Sequence, residues 1–226
     1  MGGNDKRKSA NSSVSRADKR RTGAADAILD AAESLFGRHG TEGVSLRQIA
    51  VAAGSANHSA VQYYFQNKEG LMRGIFERRL ESLELARAAL LAQARDSRSD
   101  NDTRALLAAL LRPIADEKDS SGRCSFAAFL LGLRLFGDIG EWSNYSAGAR
   151  VTREIDTLLR TRLEALQLQD PRSRMLSAIA TFLIAVIDWD RGITGGDSRT
   201  AEARDAYLDS MLDAVAAGLE AGKLTC

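Results

Sequence analysis

Asn57, His58, Ser59, Gln62, Tyr63, Tyr64 and Lys68 crowd hydrogen-bonding groups into one short stretch of the chain. On a helix, His58, Ser59, Gln62 and Tyr63 fall opposite the apolar pair Val61 and Phe65. Gln and Ser can exchange hydrogen bonds with base edges or phosphates. Tyr can donate to a phosphate while its ring packs on a sugar or a thymine methyl. A short helix carrying such a row therefore suits a nucleic-acid groove. The plainer alternative makes Tyr63 and Tyr64 core aromatics and His58 an ordinary surface residue.

Charge points the same way. The first 22 residues hold Lys6, Arg7, Lys8, Arg16, Lys19, Arg20 and Arg21 against Asp5 and Asp18, within a chain whose net charge is only +1. A basic arm on a near-neutral body suits a polyanion, because neutralising phosphates releases counterions. A solubilising tail would have the same composition. Enzyme chemistry finds little support. There is no nucleophile elbow, phosphate loop, dinucleotide fingerprint or paired-histidine zinc motif, so no cofactor is expected. Two histidines and two cysteines, far apart in sequence, make no metal site. Cys124 and Cys226 cannot build a disulfide framework, and Cys124 reads as a small buried hydrophobe. No apolar run is long enough to span a bilayer, and the N-terminus lacks a signal-peptide pattern. The expected compartment is the cytoplasm.

The DNA-facing row needs a scaffold, and the start and stop signals predict one. Ile28, Ala32, Leu35 and Phe36 share a face of a helix from Ala24 to about Arg38, ended by Gly40 in a left-handed conformation. Ser45 and Gln48 form a capping box. Val44 and Ile49 form a hydrophobic staple on a second helix, Leu46 to Ala53, which stops at Gly54. Asn57 is expected to cap a third helix ending at Phe65. Asn67 should cap a long fourth one that reaches Arg95, with Glu69 favouring its positive end. Further helices are predicted at about 103–118, 123–137, 145–168, 172–191 and 200–221, with Pro113 kinking or breaking the first. The fold class is all-α with about nine helices: a basic, flexible arm at 1–22, a helix-turn-helix head at 23–70, and a larger helical domain at 71–226.

The pattern Ala27, Phe36, Gly40, then Ser45, Ile49, Ala50, Ala53, Gly54, then Val61, Tyr64, Phe65, Lys68, Glu69, Leu71 resembles the DNA-binding head of TetR-type repressors. The stretch from Gly54 to Phe65 is one residue longer than the commonest spacing, and Gln62 stands where many members carry Tyr. The resemblance implies that Ser45 caps its helix and touches a phosphate. It also implies that His58, Ser59, Gln62 and Tyr63 meet bases and adjacent backbone, and that Lys68 binds a phosphate. Arg47 is a further candidate backbone contact, and Asn57 and Tyr64 complete the DNA-facing set.

For the larger domain the resemblance implies ligand binding and dimerisation. Ile179, Phe182, Leu183 and Val186 stripe one late helix, and Leu208, Met211, Leu212, Val215 and Leu219 stripe the next. In the family that pair meets its two-fold mate as a four-helix bundle, although one stripe per helix fits an ordinary core equally well. A homodimer would read two half-sites of a palindromic operator. Phe126, Phe129, Leu130, Leu133 and Phe136 offer an apolar lining for a small-molecule inducer. Arg134, Trp142, Tyr145, Asp188, Trp189 and Asp190 could orient that molecule. The expected function is a ligand-responsive repressor. An activator of the same fold, or a helical protein-binding adaptor, is the alternative.

Overall fold

The computed structural model describes residues 5–55, 59–119, 121–136, 148–192 and 200–221, with side chains from Thr22 onward. Nine helices run through the described residues: α1 Asp5–His39, α2 Leu46–Ala52, α3 Ala60–Phe65, α4 Lys68–Asp96, α5 Thr103–Asp116, α6 Ser125–Phe136, α7 Arg150–Ala165, α8 Pro171–Asp190 and α9 Ala201–Glu220. The segment expected as a separate arm is the first half of α1. Neither Gly nor Pro stands between Asp5 and Thr22 to stop a helix. Pro113 does not break α5, which is continuous from Thr103 to Asp116. It falls in the last turn and is buried, so one missing backbone bond is outweighed by packing.

Local chemistry accounts for most helix starts. Asp102, Asp170 and Thr200 each accept a hydrogen bond from the backbone amide three residues on. Helix α7 is different, because Ala149 precedes it and has no capping group. Glu84 of α4 supplies one from outside, accepting from the amides of Val151 at 2.6 Å and Thr152 at 3.0 Å. Beside it, buried Arg87 donates to the Leu110 carbonyl and to Thr152 Oγ1. Burial pushes the Arg87 guanidinium down to about 10, with Glu84 opposing the shift, so it stays charged at neutral pH.

The core runs through both halves of the chain. Phe36 of α1, Phe126 and Phe129 of α6 and Phe182 of α8 are fully buried in it. The most extensive helix–helix contact joins α1 to α6. At their crossing a Cβ on Gly37 would lie 2.9 Å from the backbone of Ala128 and Phe129, and one on Gly132 would lie 2.7 Å from the Phe36 carbonyl oxygen. The two backbones touch directly, which no larger residue at these positions would allow.

The apolar stripes expected to meet a partner are consumed inside the chain. Phe182, Leu183 and Val186 of α8 pack with Leu208, Leu212, Val215 and Leu219 of α9 in the core. Ile179 and Met211 lie partly buried against the same cluster. The reason is geometric: α8 and α9 pack on each other and on α5 and α6, so their most apolar faces are already covered. Among the described residues, no helix is long and apolar enough to cross a membrane.

The glycine crossing makes a testable contrast within α1. Gly37→Ala should destabilise the protein by about 1–3 kcal/mol, because the helices must separate. Gly23→Ala, with nothing within 4 Å of its Cβ, should stabilise it by about 0.5–1 kcal/mol through helix propensity. Urea unfolding of both variants measures the difference.

Candidate nucleic-acid interface

Helix α2 is set by its capping box. The Ser45 amide donates to Gln48 Oε1 at 2.7 Å, and the Gln48 amide returns a bond to Ser45 Oγ at 3.2 Å. Val44 and Ile49, the expected staple, are both buried. Ala50 is buried beside them, Leu46 and Ala53 are half-buried, and Arg47 faces solvent with Val51. The helix ends at Gly54, whose φ of 67° lies in the left-handed region. The Gly54 and Ser55 amides close the turn on the carbonyls of Val51 and Ala50.

Helix α3 starts later than the sequence suggests. Its N-cap is Ser59, in helical conformation and without a side-chain capping bond. Asn57, the expected cap, lies outside the described residues together with His58. Val61 is fully buried and Phe65 is half-buried, so this face seats α3 on the core. Ser59 and Gln62 are exposed, and Tyr63 is 71% exposed. Tyr64 is half-buried against the core. Its ring meets that of Tyr63 edge-on, with centroids 5.0 Å apart. Tyr64 therefore serves as a support for Tyr63, and Gln62 and Tyr63 present a rigidly mounted polar face.

The elbow between α3 and α4 is tight and strained. Gln66 has φ 63° and ψ −56°, and the Asn67 amide donates across it to the Phe65 carbonyl at 2.7 Å. This is a γ-turn of the positive-φ kind, a costly conformation for a residue with a side chain. Asn67 then caps α4 by accepting from the Gly70 amide at 2.8 Å. A Cβ on Gly70 would stand only 1.9 Å from the Phe65 carbonyl oxygen, so the close approach of the two helices requires glycine there. Lys68 opens α4, half-buried, at the helix end whose dipole favours anions.

The residues proposed to line a ligand pocket scatter into packing roles. Phe126 and Phe129 pack on each other and on Phe76 of α4, and Phe129 also meets Phe36. Leu130 and Leu133 are buried beside them, and Arg134 is half-buried. Trp189 is buried and stacks on Tyr207 at 5.5 Å, Asp188 is half-buried, and Asp190 accepts from the Cys124 amide. Trp142 and Tyr145 lie outside the described residues. One described cleft, of about 350 Å3, opens between α8 and α9 along Ser173, Ser177, Thr181, Ala214 and Gly218. None of the proposed pocket residues lines it. Burial, reinforced by Asp190, pushes the Cys124 thiol up to about 12, so it is unsuited to thiolate chemistry.

Sequence reasoning passed over Glu33, Gly70, Gly37 and Gly132. Each left a signal: Glu33 falls between Leu29 and Phe36 on the apolar face of α1, and an isolated glycine inside a helix marks a close approach.

Residues 28–75 match the family described as bacterial regulatory proteins, tetR family. The match begins in α1, takes in α2, α3 and the elbow, and ends in the second turn of α4. No curated protein matches the chain.

Because Gln66 carries backbone strain that glycine avoids, Gln66→Gly should leave stability unchanged or raise it slightly. Gln66→Val should lower it by about 1–3 kcal/mol. Thermal unfolding of the two variants decides, and a destabilised glycine variant would remove the strained-elbow account.

Proposed function

This chain carries the DNA-binding head of TetR-family regulators, and from that premise we propose that it is a repressor that leaves a palindromic operator when a small, largely apolar molecule binds. The observation that carries this reading is the exposed pair Gln62 and Tyr63 on a short helix whose opposite side, Val61 and Phe65, seats it on the core. Polar and aromatic groups so mounted can enter a major groove and reach base edges. Ser45, Arg47, Ser59 and Lys68 are assigned to the phosphates on either side, and Asn57 and His58 to DNA contact as well. Tyr64 supports Tyr63 instead of reading bases. The basic first half of α1 adds charge next to the head and is assigned to the DNA backbone.

A fragment from the DNA upstream of the protein's own gene serves as operator probe. Gln62→Ala and Tyr63→Ala should each weaken specific binding by about 1–3 kcal/mol. Lys68→Ala should instead reduce the salt dependence of binding without altering sequence preference. Unchanged affinity in both α3 variants would sink the assignment.

Two copies are needed to read a palindrome, and the partner surface is assigned to the faces of α8 and α9 that the core leaves open. Ser173, Ser177 and Thr181 recur along α8 at helical spacing, followed by Ile184, a large apolar residue 46% exposed. Ala214, Ala217 and Gly218 are exposed on α9. Small side chains let helices approach closely, and the cleft between these two rows suits an inserted partner side chain. Ile184→Glu should shift the protein to a monomer by light scattering and cost it cooperative operator binding. A variant that stays dimeric would exclude this face.

Release is assigned to a population shift: the effector favours a form whose two heads no longer match successive major grooves. Leu130, Leu133 and Arg134 of α6, Asp188 and Trp189 at the end of α8, and Trp142 and Tyr145 remain the proposed contacts for it. Phe126 and Phe129 transmit its effect to α1 and α4.

A further inference from the structure

Glu33 of α1 is 1% exposed although it is a carboxylate. Its oxygens accept from two successive arginines of α4: Arg78 Nη2 at 2.9 Å and Arg79 Nη2 at 3.1 Å. Ser125, the first residue of α6, donates to the same carboxylate. Arg78 also reaches Asp30 of α1 at 2.7 Å, and Arg79 reaches Glu117, just past α5, at 2.7 Å. Ser82 of α4 donates to Glu117 as well. The Arg79 guanidinium lies 5.8 Å from the centre of the Phe126 ring, over its face. One cluster, buried at Glu33 and open to solvent at Asp30, thus joins α1, α4, the end of α5 and the start of α6.

The head is attached to the rest of the chain by two helices. Along α1 the attachment is the close backbone approach of Gly37 and Gly132, where α1 crosses α6. The second attachment is α4, which continues directly from the reading helix through the elbow. Across the seam between α4 and the α1–α6 pair, the arginines on α4 meet the carboxylates on α1. We propose that the Glu33–Arg78–Arg79 cluster is the latch that sets the angle of the reading head, and that Glu33 is a positioning residue for operator spacing. This rests on the DNA-binding reading above. A buried carboxylate cannot slide continuously past its cations, because an intermediate position leaves charge unpaired. The seam therefore has discrete settings, as a switch requires. Arg79 also meets α6 through Phe126 and the end of α5 through Glu117, and Ser125 of α6 bonds Glu33 itself, so displacement of either helix reaches the head here.

Glu33→Gln keeps the shape and one acceptor oxygen while removing the charge and turning the second acceptor into a donor. The test compares binding of the full-length dimer to a two-half-site operator fragment and to a fragment with a single half-site. The expected result is an affinity loss of about tenfold or more on the full operator, with single-half-site affinity within about twofold of the unmodified protein. Equal losses on both fragments would mean a damaged reading surface and would overturn the latch, as would no loss on either. Arg78→Gln, which leaves Arg79 on Glu33, is the second variant and should give the same pattern if Glu33→Gln does not fold. If the unmodified protein fails to bind the operator at all, the DNA-binding reading falls, and the latch with it. If it binds and the variants match it, only the latch falls.

Discussion

A carboxylate taken out of water must be answered by cations, and breaking such a pair costs about 3–5 kcal/mol when one partner is removed. Glu33 imposes that requirement at the centre of this protein. Its position on α1 is dictated by the crossing with α6, where Gly37 and Gly132 let two backbones meet. Its partners are on α4, which must therefore lie across α1 at the level of Arg78 and Arg79. Arg79 in turn draws in Glu117 and the Phe126 ring. Its guanidinium stays charged there: burial opposes the charge, but Glu33 and Glu117 more than offset it and hold its pKa above the usual arginine value. Helices α1, α4, α5 and α6 are thus held in register by a few charges that answer one another.

The head, by contrast, is shaped by short-range chemistry. A capping box starts α2, a left-handed glycine ends it, and a strained turn at Gln66 redirects the chain into α4. Each device acts over a few residues. Their combined result is that Val61 and Phe65 fall inward while Gln62 and Tyr63 point out. The strain at Gln66 is held by the bonds on either side, the Asn67 cap and the contact of Gly70 with the Phe65 carbonyl. A reading helix of six residues has little stability of its own, so its orientation depends on this elbow and on the latch beyond it.

The larger helical half follows a different logic. Its helices bury apolar stripes against each other, and buried polar groups tie their ends together. Glu84 caps α7 from α4, Arg87 bridges α4 to the Leu110 carbonyl, and Arg204 of α9 donates to the Ala115 carbonyl at the end of α5. Exposed on α8 and α9 are small residues, Ser173, Ser177, Thr181, Ala214, Ala217 and Gly218, with Ile184 as the large apolar one and Arg172, Glu202, Asp205 and Asp213 as charged ones.

The sequence by itself determined the all-α class, the order of the helices and, in the head, the capping box at Ser45, the stop at Gly54 and the cap at Asn67. These depend on neighbours three or four residues apart, where caps, glycines and apolar spacing act directly. It also separated the exposed Gln62 and Tyr63 from the buried Val61, since one helical turn is enough to oppose them. It could not say which stripe of α8 and α9 meets the chain's own core, because an apolar face carries no record of its partner. The burial of Glu33 and the backbone contact of Gly37 with Gly132 were equally beyond it. Those join residues 45 or more positions apart or helices far apart in the chain, and only the folded arrangement shows which charge must answer which.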